Sequence, residues 1–414
     1  MDAPVPRSDH TVPPFVRVLY LVAVAVGMFL ATEPRAAAAL AGAQIALWFA
    51  VGLPANQLVL QIRKFWGFAL LIIGSYALTT VDPATDHWAR FELGGVGLSL
   101  NTHGAATGLV MVIRIVAVVI ASQVARAGDA RAIARGLRTL RAPHMFAVSM
   151  DAVLTLLGDT GGRGGGGGRG GGGGGGRGRR EADAGMSGDA GETFWTSLKR
   201  LGSGDVGAIV ERLNRQIERA RTHAASQAPD AASPDIAVIT GVALTMLGIK
   251  ALKVLPSLPF APGHKMVILL PLYVIAARQT RTRFGATYAG LTMGTIAFLM
   301  GDGRYGIFEI CKHVAPGLIC DLLIPIMTAG SRQPGRVAWS IFGALVGLGR
   351  FATTFVIILA AQAPAVAYAI LVPGLTTNLT FGFLSGYVTY QVVRSVEHTR
   401  TQHGDHEDEA WVNS

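Results

Sequence analysis

Charge is scarce in this sequence. Of its 414 residues, 15% are Asp, Glu, Lys or Arg, against about 25% in soluble domains, which excludes an ordinary water-facing surface. Cysteine is scarcer still. Cys311 and Cys320 are the two present, nine apart in one apolar stretch, so a disulfide scaffold is excluded. No G-x-x-x-x-G-K-[ST] loop occurs, and the long glycine tract holds no Lys and no Ser/Thr partner. The glycine tract is therefore no phosphate cradle, and no cofactor is expected in this chain; ATP hydrolysis, if used, belongs to other chains. Ser-His-Asp and zincin spacings are absent as well, and His264 with Asp302 is too weak a basis for an enzyme. A cleavable signal peptide is not expected. The apolar block after Phe15 is long, lacks an A-x-A exit at the right place and is followed by further blocks.

What is abundant is hydrophobic sequence, 50% of the chain. It falls into about ten blocks of roughly 17–25 residues, the length that spans hydrocarbon at 1.5 Å per residue. Backbone groups in lipid must bond within their own segment, so these blocks are expected as helices. The predicted fold is an all-α polytopic membrane protein of about 4 + 6 transmembrane helices. The first four spans cover about 15–32, 36–53, 65–80 and 103–125, and a weaker apolar stretch follows at Met145–Leu157. The last six cover about 236–254, 266–280, 284–300, 314–327, 337–361 and 366–393.

Between the two sets lies Gly161–Arg180, nearly pure glycine with Arg163, Arg169, Arg177, Arg179 and Arg180. It cannot bury a core, and residues 161–190 read as a flexible linker. Residues 191–230 return to amphipathic helix: Ile209, Leu213 and Ile217 recur at i, i+4, i+8, with Arg212, Arg215, Arg219 and Arg221 around them. The tail from 397 is polar and acidic and reads as disordered. Arg-Gly tracts also bind RNA, and a net charge of +10 fits nucleic acid. Between membrane spans, basic loops beside anionic headgroups are the better reading, and no nucleic-acid partner is expected.

Lys/Arg asymmetry orients the chain. Arg126, Arg131, Arg135, Arg138 and Arg141 make the most basic loop and are placed in the cytoplasm. Arg63 and Lys64 then fall inside, and the loop with Asp82, Asp86 and Glu92 falls outside. Counting forward puts Arg278, Arg281, Arg283, Arg332, Arg336 and Arg394 inside. Both halves agree if Met145–Leu157 does not cross. The expectation is a multi-pass protein of the inner (plasma) membrane with both termini cytoplasmic.

The N-terminal half, 1–160, resembles the T (transmembrane coupling) component of energy-coupling-factor transporters, a branch of the ABC importers. The likeness rests on the short spans, on Leu98–Ala125 with its central Arg114, and on the basic helix Asp129–Leu140 ending in Arg141-Ala142-Pro143. The family's coupling helices carry Ala-Arg-Gly-like tripeptides that dock on ATPases. Ala134-Arg135-Gly136 matches that pattern but sits early; Ala220-Arg221-Thr222 is better placed but matches less well. Residues 235–396 resemble an S component, the six-span substrate-binding subunit. Arg283-Phe284-Gly285-Ala286 leads into a Gly-rich span ending Gly301-Asp302-Gly303. S components meet the T component through small residues on the first span, and here Ala237, Gly241 and Thr245 stand at i, i+4, i+8. The resemblance implies a fused importer component for a vitamin-like small molecule or a metal ion, with energy-coupling ATPases as partners. The alternative is a solute-binding membrane protein no longer coupled to ATPases.

The polar groups expected at the outer face are the candidate substrate contacts: His264, Lys265, Asp302, Arg304, Glu309 and His313, beside Phe260, Tyr305 and Phe308. Asp321 and Asn378, at membrane depth, are candidates for the floor. His264, Glu309 and His313 are also weak metal candidates, since Glu309 and His313 share a helical face. Solvated loops are the bland reading of the first group and structural bracing of the second. Arg114 is expected to brace, with Asp151 as its candidate partner; Asp321 and Arg350 are a second candidate pair. The cysteines read as packing residues.

Overall fold

The computed structural model describes residues 12–31, 33–78, 84–93, 96–129, 131–162, 207–227, 233–251, 263–300, 306–329, 334–360 and 364–412. Helices α1 (Pro14–Leu30), α2 (Pro34–Ala50) and α3 (Ala55–Ala77) come first. Strands β1 (Trp88–Leu93) and β2 (Val96–Asn101) follow, then α4 (Thr102–Ala125), α5 (Ala132–Thr139) and α6 (His144–Gly162). Beyond the glycine tract, which lies outside the described residues from 163 on, come α7 (Gly207–Gln227), α8 (Ser233–Ala251), α9 (Met266–Gln279) and α10 (Gly285–Leu299). A single turn at Gly306–Phe308 leads into α11 (Glu309–Thr328), α12 (Arg336–Ala360) and α13 (Pro364–Val412).

The helical class holds, with one addition. β1 and β2 pair antiparallel, from Trp88 opposite Asn101 to Leu93 opposite Val96. Gly94-Gly95 separates the strands in sequence, a two-residue hairpin signal. Asn101 ends the hairpin and starts α4: its Oδ1 accepts from the Gly104 N–H at 2.9 Å, while its Nδ2 donates to Asp86 at 2.6 Å.

Three described helical stretches are long and apolar enough to cross a membrane: Thr102–Ala125, Glu309–Thr328 and Arg336–Leu359. Helices α1, α6, α8 and α9 are apolar but shorter. The 14 residues of α9 rise roughly 21 Å, short of a hydrocarbon core of about 30 Å. Ten full-length crossings are more than these elements provide. Boundaries also move. α3 starts at Ala55 rather than 65, taking Arg63 and Lys64 into its length. α13 runs on to Val412, so the tail from 397, expected to be disordered, is helical. It carries no proline after Pro373, and Glu397, Glu407 and Glu409 are of a residue type that favours helix.

Membrane character is visible on α12. Val337, Ile341, Leu345 and Leu348 are exposed, whereas Trp339, Phe342 and Val346 are buried. A helix in water would hide that outer stripe.

The chain divides into two compact units. One comprises Met1–Asp151, Gly294–Lys312 and Thr353–Leu371; the other comprises Ala152–Met293, His313–Ala352 and Val372–Ser414. In the first, α1, α2 and α3 pack on α4, with Trp48, Leu58 and Ile120 in one apolar cluster and Tyr76, Ile358 and Ala367 in another. Gly108 lets α4 approach α3: a Cβ there would lie 2.9 Å from the Ile73 Cα. In the second, α8 packs along α7 and also against α9, and every residue from Ile236 to Leu247 is buried.

Candidate functional site

The expected substrate groups that lie among the described residues do not stand in open water. His264, Glu309, His313, Asp321 and Asn378 are all buried, and Lys265 is half-buried. Asp302, Arg304, Phe260 and Tyr305 lie outside the described residues.

One subset is brought together within the second unit. Gly263, with φ +106, sits at the turn before α9, and a Cβ on it would come within 2.7 Å of Asn378 Oδ1. Glycine is needed there twice over, for the positive φ and for the close approach. Next to it the His264 ring meets Phe381 edge-on at 6.3 Å. Ser385 Oγ donates to the Met266 carbonyl at 2.6 Å. Asn378, Phe381 and Ser385 are spaced i, i+3, i+7, so one face of α13 grips the start of α9. Asn378 Nδ2 donates to the Gly374 carbonyl at 2.8 Å, one turn back.

His313 belongs to a second polar contact in the same unit. The Tyr273 hydroxyl donates to the His313 carbonyl at 3.0 Å and lies 3.4 Å from the ring Nδ1. Gly290 fits against the same carbonyl. In the first unit, Glu309 forms an ion pair with Lys312 at 3.2 Å. Among the described residues no three His, Cys, Asp or Glu side chains gather as metal ligands. The trio His264, Glu309 and His313 is therefore not gathered: His264 meets Phe381, Glu309 pairs with Lys312, and His313 stands at the Tyr273 hydroxyl.

Asp321 is accounted for structurally. Its Oδ1 accepts from the Ala286 N–H at 3.1 Å, and its Oδ2 from the Thr287 N–H at 2.7 Å and the Thr287 hydroxyl at 2.6 Å. It caps the first turn of α10 rather than bonding to Arg350. A helix N-terminus presents unbonded N–H groups, and a carboxylate satisfies them well. Asp235 acts nearby, accepting from the Arg281 and Thr282 N–H groups at 2.9 Å each. Two aspartates thus hold the approach to α10.

The pairing of Arg114 with Asp151 is corrected as well. Asp151 is buried on α6 and takes Arg131 in a two-pronged contact, both bonds 2.7 Å, with Arg138 at 3.2 Å. Arg114 instead donates to the Ala31 carbonyl, where α1 ends. In return Arg17, on α1, donates to the Ala125 and Ala127 carbonyls at 3.3 and 2.8 Å, where α4 ends. Burial lowers the adjacent Arg126 guanidinium to about 10, which still leaves it charged at neutral pH.

The expected coupling residues are both exposed. In the tripeptide on α5, Ala134 is buried and Gly136 fits against Pro14 and Val18 of α1. Arg135 points away and pairs with Asp129. Arg221 pairs with Glu218 at 2.7 Å. Arg221 lies on α7, whose Leu213, Ile217, Ala220 and Ala224 are buried.

Ala237, Gly241 and Thr245 are buried as expected, but at Gly241 the neighbour is α7. A Cβ on Gly241 would lie 2.8 Å from the Ile217 Cα. The amphipathic helix needs an apolar cover, and the next helix in sequence supplies it. The glycine seam missed in the sequence lies elsewhere in the second unit. Gly343 and Gly347 of α12 face Gly382 and Gly386 of α13, and a Cβ on Gly343 would lie 2.7 Å from the Gly386 Cα. Each pair has the G-x-x-x-G spacing, a signal that was available in the sequence. Cys320 is buried and Cys311 exposed, both as thiols. An apolar crevice in the first unit is lined by Phe65, Ala69, Ile72, Val112, Ile115 and Val116; with no polar group in its walls it offers a solute no specific contact.

Comparison with family models, with characterised proteins and with solved structures finds no match to this chain.

Proposed function

We propose that the chain is the membrane component of an energy-coupling-factor importer, combining a coupling part with a substrate-binding part. Separate ATPase subunits would supply the energy, and the cargo would be a vitamin-like small molecule. A small molecule is favoured over a metal ion because no three ligating side chains gather among the described residues.

The observation that carries the coupling part is the build of α5. Ala134 and Gly136 face inward while the Arg135 side chain stays 55% exposed. A short basic helix anchored on α1 suits docking to a soluble partner. The binding part rests on the buried polar groups His264 and Asn378 beside the turn at Gly263. Buried polar groups at membrane depth need a reason, and ligand contact is one.

A second reading, a solute binder no longer coupled to ATPases, is favoured by α7. Its apolar face is covered by α8 and its Arg221 is already paired. One experiment addresses both readings. The full chain is purified in mild detergent from its native membrane, and co-purifying ATPase activity is measured for the wild type and for Arg135→Glu. The coupled reading expects ATPase subunits with the wild type and at least a tenfold loss with the variant. The Arg135 side chain is exposed, so its pair with the half-buried Asp129 contributes little to folding, and the variant should stay folded. Solute binding without any ATPase would establish the second reading and sink the first.

A further inference from the structure

At one end of α12 and α13, three side chains form a grouping that the transport reading does not use. The Arg336 guanidinium carbon lies 5.7 Å from the centre of the Tyr390 ring, and that of Arg394 lies 5.7 Å from the same centre. Arg394 Nη1 also donates to the Tyr390 hydroxyl at 3.3 Å. Among the described residues no carboxylate forms an ion pair with either arginine. Two cations drawn to one ring repel each other, and cation–π attraction at an exposed site is modest. The arrangement gains most when an anion joins it. Two planar guanidinium forks match the oxygens of a phosphate. Arg336 is also the first residue of the 25-residue helix α12, whose N-terminal end adds partial positive charge.

The surroundings indicate which phosphate. Phe383, Tyr387, Tyr390 and Arg394 recur at i, i+4, i+7, i+11, so they share one face of α13. Phe383 and Tyr387 are 48% and 37% exposed. From Phe383 to Arg394 the helix rises roughly 16 Å, close to half the thickness of a hydrocarbon core. A basic head over an exposed apolar strip of that length matches a phospholipid, with its headgroup on the arginines and an acyl chain along the aromatic side chains. A free phosphate would use the head and leave the strip bare. We propose that Arg336, Tyr390 and Arg394 form a binding site for the headgroup phosphate of an anionic phospholipid. The site needs neither ATPase partners nor an importer substrate, so it stands or falls apart from the transport reading.

The test uses the full chain in phosphatidylcholine nanodiscs, titrated with short-chain phosphatidylglycerol and read by lipid retention in native mass spectrometry. Arg336→Gln/Arg394→Gln should weaken retention about thirtyfold, the effect of losing two interfacial arginines. An equal charge loss at Arg281→Gln/Arg283→Gln should change it less than about threefold. Arg336→Lys/Arg394→Lys keeps the charge and guards against misfolding; it should still bind more weakly than the wild type, because lysine lacks the fork. Equal loss in both glutamine pairs would mean bulk attraction and would overturn the site. So would lysine variants that bind as tightly as the wild type. Displacement of the lipid by equimolar inorganic phosphate would overturn the lipid assignment.

Discussion

The two units solve one problem with opposite charges. Helix ends leave backbone groups unbonded, carbonyls at the C-terminus and N–H groups at the N-terminus. In the first unit arginines reach the carbonyl ends: Arg17 at the end of α4 and Arg114 at the end of α1. In the second, aspartates take N–H groups: Asp321 in the first turn of α10 and Asp235 in the segment just before it. Each charge is opposite in sign to the partial charge of the groups it meets. An ionisable residue inside an apolar helix is thus not by itself a sign of cargo. Backbone ends are a competing demand, and here they take both Arg114 and Asp321.

The comparison can be broken most severely at the glycine seam, which holds α12 to α13 in the second unit and has no counterpart of that kind between α1 and α4. Gly382→Leu would drive a side chain into the backbone of α12 around Gly343. We expect a loss of about 3 kcal/mol or more, seen as aggregation or a sharply lower unfolding temperature in detergent. Gly335→Ala, with open space around it, is the matched control and should behave as wild type. Next in size is Asp321→Ala, which leaves the first turn of α10 without its cap and should cost about 2 kcal/mol. Thermal unfolding of Asp321→Ala and Asp321→Asn distinguishes the roles. A cap predicts graded destabilisation, whereas a substrate contact predicts lost binding with stability unchanged. The smallest effect is expected for Arg17→Ala, about 1 kcal/mol. Measured with Arg114→Ala in a double-mutant cycle, it should show coupling, since both arginines fix the same helix pair. Strict additivity would mean that the two caps act independently.

Much of the helical layout was legible in the sequence because apolar runs of sufficient length leave few alternatives. The hairpin was legible too, in Gly94-Gly95 between alternating residues, but it was passed over as an acidic loop. Partners were harder to read. Periodicity shows which face of α8 carries Ala237, Gly241 and Thr245, but not what covers it. That cover is α7 at Gly241, because a stripe of Leu213, Ile217, Ala220 and Ala224 needs burial as much as α8 does. Charges posed the same difficulty. Arg114 and Asp151 invite pairing in the sequence, yet Asp151 meets Arg131 and Arg138 and Arg114 a carbonyl. Carbonyls carry no signature in a sequence. The candidate site was legible in part: His264 and Asn378 do share one neighbourhood around Gly263, whereas Glu309 pairs with Lys312 and Asp321 caps α10.

The crossed arginines of α1 and α4 have a mechanical consequence. Each grips the far end of the other's helix, so the pair is fastened at two points separated along its length. One fastening would permit pivoting, and a smooth apolar seam would permit sliding. Two fastenings of this kind prevent both unless they release together. Within the first unit, α1 and α4 therefore move as one strut, and any larger motion that involves them must bend at their connections instead of shearing between them.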